Sequence, residues 1–523
     1  METSTRQGTL LELLDHGPAE RTAIVLPEQH LQVSYGALRE QVRAMAEQLV
    51  AAGVGRGDRV GIALPNGLPM LVSFLAASVA GTAAPLNPAY KEEEFRFYLE
   101  DTAARVLILP PEGAEEARRA AGDRVPIFTA AMDLRGAVTL VGADPRVGPG
   151  RTHGSAPTSH HVDGSVPASD DVALVLHTSG STGRPKRVPL THANLTVSAA
   201  NIAECYALGP DDVSMCVMPL FHVHGLLAST LSTLATGGTV ILPAKFNPLS
   251  FWRIARDHGM TWFSAVPTLH QLLLARAADP TGRRPAGSEK LRFVRSCSAA
   301  LPPRVMHALE TAFGAPVVEA YGMTEAAHQL ASNPLPPAAR KPGSVGRGTN
   351  VRISIMDSHG RHLPPGKRGE VVIQGDNIIH GYENNPEANA VSFVDGWFRT
   401  GDQGCLDADG YLTLVGRLKE LINRGGEKFS PREIDEVLLT HPAVAEAVAF
   451  GVPHATWGEE VAAAVVVREP VSEAVLLAHC SERLADFKRP KRIHVTDALP
   501  RTATGKIQRG AVAKAYKHKA KAS

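Results

Sequence analysis

Nine consecutive residues, Thr178-Ser179-Gly180-Ser181-Thr182-Gly183-Arg184-Pro185-Lys186, bring together four side-chain hydroxyls, two glycines and a closing lysine. Glycines let backbone N–H groups approach a polyanion closely, and the hydroxyls and the lysine add donors and positive charge. That combination suits the β- and γ-phosphates of a nucleotide. It is not the Walker A spacing, in which Gly-Lys-Ser/Thr opens a helix. Alone, a stretch rich in Ser, Thr and Gly reads as a flexible loop, so its meaning depends on what stands elsewhere in the chain.

Four further groups follow in order: Tyr321-Gly322-Met323-Thr324-Glu325, Trp397-Phe398-Arg399-Thr400-Gly401-Asp402, Gly416-Arg417-Leu418-Lys419-Glu420-Leu421-Ile422, and Pro500-Arg501-Thr502-Ala503-Thr504-Gly505-Lys506. Together with the first loop, the series resembles the adenylate-forming superfamily of acyl-CoA synthetases, peptide-synthetase adenylation domains and beetle luciferases. The resemblance runs from about the first helix to Arg509. One motif is weak; five in the family's order are specific.

The resemblance implies ATP and CoA as co-substrates, with Mg²⁺. Adenylation joins a carboxylate to the α-phosphate of ATP and expels pyrophosphate, so two anions must be neutralised and held in line. By that resemblance Thr178, Ser179, Gly180, Ser181, Thr182, Gly183 and Lys186 hold the pyrophosphate. Thr324 donates to the α-phosphate, and Glu325 binds the magnesium ion, which commonly takes one or two carboxylates plus phosphate oxygens. Tyr321 offers a flat face to adenine, with Ser298, Ala299, Ala300, Glu319, Ala320, Gly322 and Met323 also around the nucleotide. Asp402 suits the ribose hydroxyls, assisted by Arg417. Lys506 reaches the reacting carboxylate as a compact point charge. Thr324, Glu325 and Lys506 are the expected catalytic group. One departure stands out: Arg187 occupies a position that is usually glycine in the family.

The acceptor follows from Arg424-Gly425-Gly426-Glu427-Lys428, a glycine loop suited to a narrow pantetheine tunnel. The family's small domain rotates after adenylation, pivoting at the position of Lys419 and exchanging the lysine loop for this loop. Lys419, Gly425, Gly426 and Lys428 are therefore the expected hinge and CoA-side residues. Ser523 ends the sequence with no appended carrier domain, which favours a CoA ligase over an acyl-AMP ligase serving a carrier protein. Only 5% of residues are aromatic, against a luciferase-like oxygenase. A non-catalytic nucleotide-binding protein would be expected to lack Lys506 or Glu325.

For the acid, the expected pocket is built from Pro219 to Gly225, Arg295 to Ala300 and Ala326 to His328. It carries His222, His224, Ser298 and His328, an unusually polar set for a fatty-acid enzyme. Ser296-Cys297-Ser298-Ala299, Ala326-Ala327-His328 and Glu420 to Lys428 resemble the oxalate–CoA ligases. Oxalate is a small dianion whose second carboxylate needs donors rather than an apolar tube. A malonyl-CoA synthetase would carry arginine where Ala320 stands. A medium- or long-chain fatty acyl-CoA ligase, with the histidines merely satisfying backbone groups, is the remaining alternative.

These residues must be positioned by more than one core, since single cores stop growing at roughly 250–300 residues. Ser34 caps an amphipathic segment from Leu38 to Ala52, Arg59 to Leu64 reads as a strand, Leu68 to Leu86 as a buried helix leading into a strand, and Val106 to Leu109 and Val172 to Leu176 as strands. Strand–helix alternation implies parallel sheets covered by helices. Val371 to Ile373 and Tyr411 to Val415 are shorter strands among turn signals. The expected fold is α/β: a large N-terminal domain, 1–416, of helix-covered mainly parallel sheets plus a small barrel-like sheet, and a small mobile C-terminal α+β domain, 417–523. In the latter, Glu433 to Thr440, Val461 to Val467, Val475 to Leu484 and Arg492 to Val495 are its elements.

The formal net charge of +1 supplies no field for nucleic acid or an anionic membrane, and the basic run from Lys514 to Lys521 reads as a solvated tail. Five scattered cysteines have no zinc spacing and suit reduced thiols in a cytoplasmic protein. No signal peptide or membrane span is expected. His160-His161, within a Gly/Pro/Ser-rich stretch from Gly142 to Asp170, has no further ligand set and reads as part of a surface loop.

Overall fold

The computed structural model describes residues 8–142, 167–178, 185–277, 283–502 and 505–517. Ser179 to Arg184 of the phosphate-loop motif, most of the Gly142–Asp170 stretch with its His160-His161 pair, and the end of the basic tail lie outside the described residues.

Apolar runs without alternation must be covered on both faces, and parallel sheets provide that cover. A seven-stranded sheet joins Arg59–Ile62, Thr82–Pro85, Ala104–Leu109, Ile127–Met132 and Val172–Thr178 in parallel, with Val138–Val141 and Lys186–Thr191 as antiparallel edges. A nine-stranded sheet is parallel through Thr22–Leu26, Thr239–Ile241, Val213–Cys216, Trp262–Ala265, Phe293–Ser296 and Val317–Met323. Leu31–Ser34 extends one end; His328–Ser332 and Arg347–Gly348 extend the other, all antiparallel. A five-stranded antiparallel sheet, with Arg368–Gln374 and Trp397–Leu406 at its centre, curls beside them as a half-barrel.

One apolar core unites the three sheets, with Leu71 and Phe74 packed into the same cluster as Leu174, Leu226, Ile373 and Phe398. Leu71 and Phe74 belong to the helix Leu68–Ala80, which is buried almost all round. Upstream, the helix Tyr35–Ala51 begins ahead of the expected Leu38, directly after Ser34, whose Oγ accepts from Ala37 N–H at 3.2 Å.

Past Arg417 the chain builds a separate five-stranded sheet with its own core of Ile422, Ile434, Val461, Val465, Leu476 and Ile493. Its helices Arg432–Leu439 and Glu473–Ser481 and its strands Gly458–Val467 and Arg492–Val495 are those expected. The long strand Val444–His454 was not anticipated. Neither was the form of the glycine segment: Ile422–Arg424 and Glu427–Phe429 pair as a hairpin whose two-residue turn is Gly425-Gly426, at φ +62° and +93°. Positive φ at both central residues is what a type I′ hairpin turn demands.

Candidate active site

The phosphate-loop motif is pinned at its base, because Thr178 and Lys186 face each other across antiparallel strands. Lys186 Nζ lies 4.3 Å from the centre of the Tyr382 ring, and the Tyr382 hydroxyl donates to Glu325 Oε1 at 2.9 Å. Burial pushes the Lys186 amine below its ordinary range; the Glu325 charge opposes this, while Lys419 close by adds to it. Lys186, Tyr382, Glu325 and Lys419 thus form one neighbourhood from four distant parts of the chain.

Glu325 is presented by a tight reversal between the strands Val317–Met323 and His328–Ser332. Ala327 and His328 in that reversal have φ of +45° and +96°. Backbone of that kind costs about 1–3 kcal/mol per residue and clusters at working sites. A Cβ at Gly322 would collide with the His328 carbonyl, so glycine there lets the two strands close and sets where Thr324 and Glu325 project.

Among the residues expected around the nucleotide, the Tyr321 hydroxyl donates to Asp402 Oδ2 at 2.5 Å and Arg417 Nε pairs with Oδ1 at 2.7 Å. Asp402 is buried and oriented by both. Ala299 and Ala300 are exposed beside the half-buried Ser298, while Ala320 is buried and Gly322 and Met323 are partly open. Glu319 does not open onto this space. Its carboxyl, pushed up to about 7 by burial, accepts from the backbone N–H groups of Leu301 and Gly343, each at 3.2 Å, and so shapes the wall from behind.

Lys506 stands in a tight turn closed by Thr502 N–H to Lys506 O at 2.8 Å, Gly505 N–H to Thr502 O at 2.9 Å and Lys506 N–H to Thr502 Oγ1 at 3.1 Å. Gly505, at φ +84°, rests against the large domain, where a Cβ would lie 3.5 Å from Thr268 Oγ1. The Lys506 side chain keeps contact with water yet is hemmed in by protein, as happens inside an open cleft rather than on a convex surface. Burial and then Arg417 push its amine below the ordinary range, opposed by Asp402 and Glu420. His222 borders the same space: burial and then the Lys506 charge push it down to about 4, so it is neutral at pH 7.

The residues expected on the acid side assemble more tightly than spacing could indicate. His224 Nδ1 is 3.0 Å from Ser298 Oγ, its Nε2 is 2.7 Å from Ser264 Oγ, and its ring stacks on His328 at 5.0 Å. Burial, and next the Arg295 charge, hold both His224 and His328 well below the ordinary histidine range. His328 Nε2 is enclosed and has no hydrogen-bond partner among the described residues. His224 opens a π-helical turn, His224–Leu231, a distortion common at functional sites.

The remaining candidates lie apart from this cluster. Gly425, Gly426 and Lys428 are exposed, and the Gly425 N–H donates to the Trp457 carbonyl at 2.8 Å. Arg187 turns from the phosphate-loop motif: it donates to the Asp101 carbonyl at 2.6 Å and pairs with the Asp101 and Glu383 carboxylates at 3.4 and 3.8 Å. Its neighbours on the strand alternate faces, so arginine in place of glycine leaves Lys186 free to reach Tyr382. Spacing pointed to neither Tyr382 nor Ser264, and Arg295 had been no more than part of a pocket segment.

Two family profiles match this chain: AMP-binding enzyme over residues 14–383 and AMP-binding enzyme C-terminal domain over residues 433–506. The chain belongs to the AMP-binding enzyme family. An oxalate–CoA ligase of Arabidopsis thaliana is 46% identical, covering 99% of this chain and 100% of the relative. An oxalate–CoA ligase of Saccharomyces cerevisiae is 42% identical, covering 95% of each. The crystal structure of ATP-bound MatB from Rhodopseudomonas palustris superposes with a TM-score of 0.84 at 31% identity, over 97% of this chain and 99% of that one. The protein is an AMP-forming acid–thiol ligase: it makes an acyl-CoA from ATP, a carboxylic acid and CoA through an acyl-adenylate. Among the described residues no helix is long and apolar enough to cross a membrane.

Proposed function

We propose that the acid is oxalate and the product oxalyl-CoA. The observation that carries this is the polar cluster of His224, Ser298 and His328, in which a buried His328 nitrogen has no hydrogen-bond partner among the described residues. An alkyl tail lodged there would leave such groups desolvated and unpaired, at about 1–3 kcal/mol for each lost partner. A second carboxylate would satisfy them. Ala320, rather than arginine, next to Tyr321 speaks against malonate.

In the first half-reaction the Thr178–Lys186 segment takes the leaving pyrophosphate, Thr324 the α-phosphate and Tyr321 the adenine, while Asp402 and Arg417 hold the ribose. Lys506 screens the meeting of carboxylate and phosphate. Glu325 suits Mg²⁺, being a buried carboxylate fixed by the Tyr382 hydroxyl, its one side-chain hydrogen bond among the described residues; the ion would neutralise phosphate charge. Tyr382→Phe is expected to lower kcat/KM for ATP by roughly tenfold through loss of the donor to Glu325. The KM of the acid should stay unchanged, and a shift in that constant instead would count against the assignment.

In the second half-reaction we place CoA on the Gly425–Gly426 face after rotation of the 417–523 domain about Lys419. Specific activity across oxalate, malonate, acetate, hexanoate and palmitate, read as pyrophosphate release with and without CoA, tests the choice of acid. Oxalate should lead clearly. Ser298→Ala or His328→Ala should raise the oxalate KM strongly while barely moving that of ATP. A clear preference for any monocarboxylate would overturn the oxalate reading.

A further inference from the structure

Arg295 lies on the strand Phe293–Ser296 with no solvent exposure. Among the described residues its three side-chain hydrogen bonds all go to neutral groups. Nε donates to the Tyr206 hydroxyl, one terminal nitrogen to Ser264 Oγ and the other to Gln329 Oε1, each at 2.9 Å. Among the described residues no carboxylate pairs with it, and the groups that act on its charge most strongly are Tyr206, Cys297 and Cys205. A buried cation without a counter-charge is costly to fold. Such a group calls for a reason other than stability, and the half-buried Ser298, on the side where an anion would arrive, is three hydrogen bonds away through Ser264 and His224.

The direction of those bonds follows from counting hydrogens. A serine hydroxyl has one to give. Ser264 Oγ accepts from Arg295 and stands 2.7 Å from His224 Nε2, and these are its two partners among the described residues. Its single hydrogen therefore goes to Nε2, since otherwise a buried O–H would be left without an acceptor. A neutral His224 then carries its proton on Nδ1 and donates it to Ser298 Oγ at 3.0 Å. Ser298 is left with its own hydrogen to give, and no other partner holds it among the described residues. Each bond polarises the next in such a chain. The half-buried Ser298, at φ +70°, is the end that faces outward from the buried relay.

We propose that Arg295 makes the acid site select a dianion: its guanidinium supplies the positive potential, and the Ser264–His224–Ser298 relay delivers it as a hydrogen bond donated to the second carboxylate. The proposal rests on the oxalate reading of the site. Arg295 acts through Ser264 and His224, so it is a positioning and specificity residue rather than a catalytic one. The bare field of a buried charge also favours a doubly charged ligand over a singly charged one of equal size.

The probe pair is oxalate and oxamate, which share length and planarity and differ by one charge. Arg295→Met is expected to lower the oxalate-to-oxamate ratio of kcat/KM by about 30-fold or more. The change should sit mainly in the oxalate KM, with the ATP KM within about twofold, and Arg295→Lys should restore part of the ratio because the charge returns without the fork. Ser264→Ala cuts the relay with Arg295 in place and should lower the ratio about tenfold; it decides the matter should Arg295→Met not fold. Equal losses for both acids would mean that Arg295 only supports the fold, overturning this proposal and leaving the oxalate reading intact. A wild-type enzyme that prefers a monoanion overturns both.

Discussion

Lys506→Ala is expected to slow acyl-adenylate formation by about 10²–10³-fold, the usual effect of removing one well-aimed electrostatic donor, while transfer from a supplied acyl-adenylate to CoA continues. Two anions, a carboxylate and the α-phosphate, must meet in the first half-reaction. In the second a thiolate displaces AMP, and the same charge is not needed at the same point. The geometry favours this division: the Lys506 turn leans on the large domain at Thr268, and its amine sits in the fields of Asp402, Arg417 and Glu420. ATP–pyrophosphate exchange and thioester formation from preformed adenylate, measured separately on one preparation, distinguish the two steps. Exchange at the wild-type rate in the variant would sink the assignment of Lys506, and equal loss in both assays would point to a folding defect instead.

Much of the frame could be read from local pattern, for reasons that particular residues make plain. Ser34 and the spacing of Leu38, Val42, Met45 and Leu49 determine a helix by capping and by one buried face, both local properties. Val172–Thr178 was legible because the apolar run Val172 to Leu176 is too short for a helix and suits a strand covered on both faces. The strand Val444–His454 escaped because its alanines and its glycine carry little strand preference; it forms by antiparallel pairing with Gly458–Val467, in unbroken register from Glu446 to His454. The glycine segment was read as a loop, whereas its two glycines are the minimum that a hairpin turn needs.

The site divides in the same manner. Glu325, Asp402 and Lys506 sit in short motifs whose order along the chain can be recognised. Tyr382 meets Glu325 from 57 residues away, and Arg295 meets Ser264 from 31. No spacing rule reports hydrogen bonds formed across a sheet or between domains, because the intervening chain can take any path. The same holds for the burial of Arg295: on a strand reading Phe-Val-Arg-Ser it could as well have projected to solvent. Only the sheet, which sets Ser264 on the adjacent strand and Gln329 two strands away within reach, decides that it does not.

Gly426→Leu should have the opposite signature to Lys506→Ala: normal adenylation and a loss of thioester formation of about 100-fold or more, of the order expected when a reactant can no longer take its attack position. In the present arrangement a Cβ at Gly426 meets nothing within 4 Å, and the residue is exposed, so the first half-reaction has nothing to lose by contact. The cost here is confined to the backbone, since φ is +93° and a branched side chain is strained there. That strain falls on the exposed turn of the hairpin, while Ile422 and Phe429 anchor its strands in the core of the C-terminal sheet. The expected defect therefore arises in the second arrangement, where this face would line the path of the pantetheine thiol and a leucine would fill it. Gly426→Asn separates the two causes, because asparagine tolerates positive φ better than leucine yet still adds a side chain. If obstruction is the cause, both variants accumulate bound acyl-adenylate and release little acyl-CoA; if strain is the cause, asparagine restores the rate. A quenched single-turnover assay that counts adenylate and thioester together gives the answer. Acyl-CoA formed at the wild-type rate by Gly426→Leu would show that CoA does not approach along this turn.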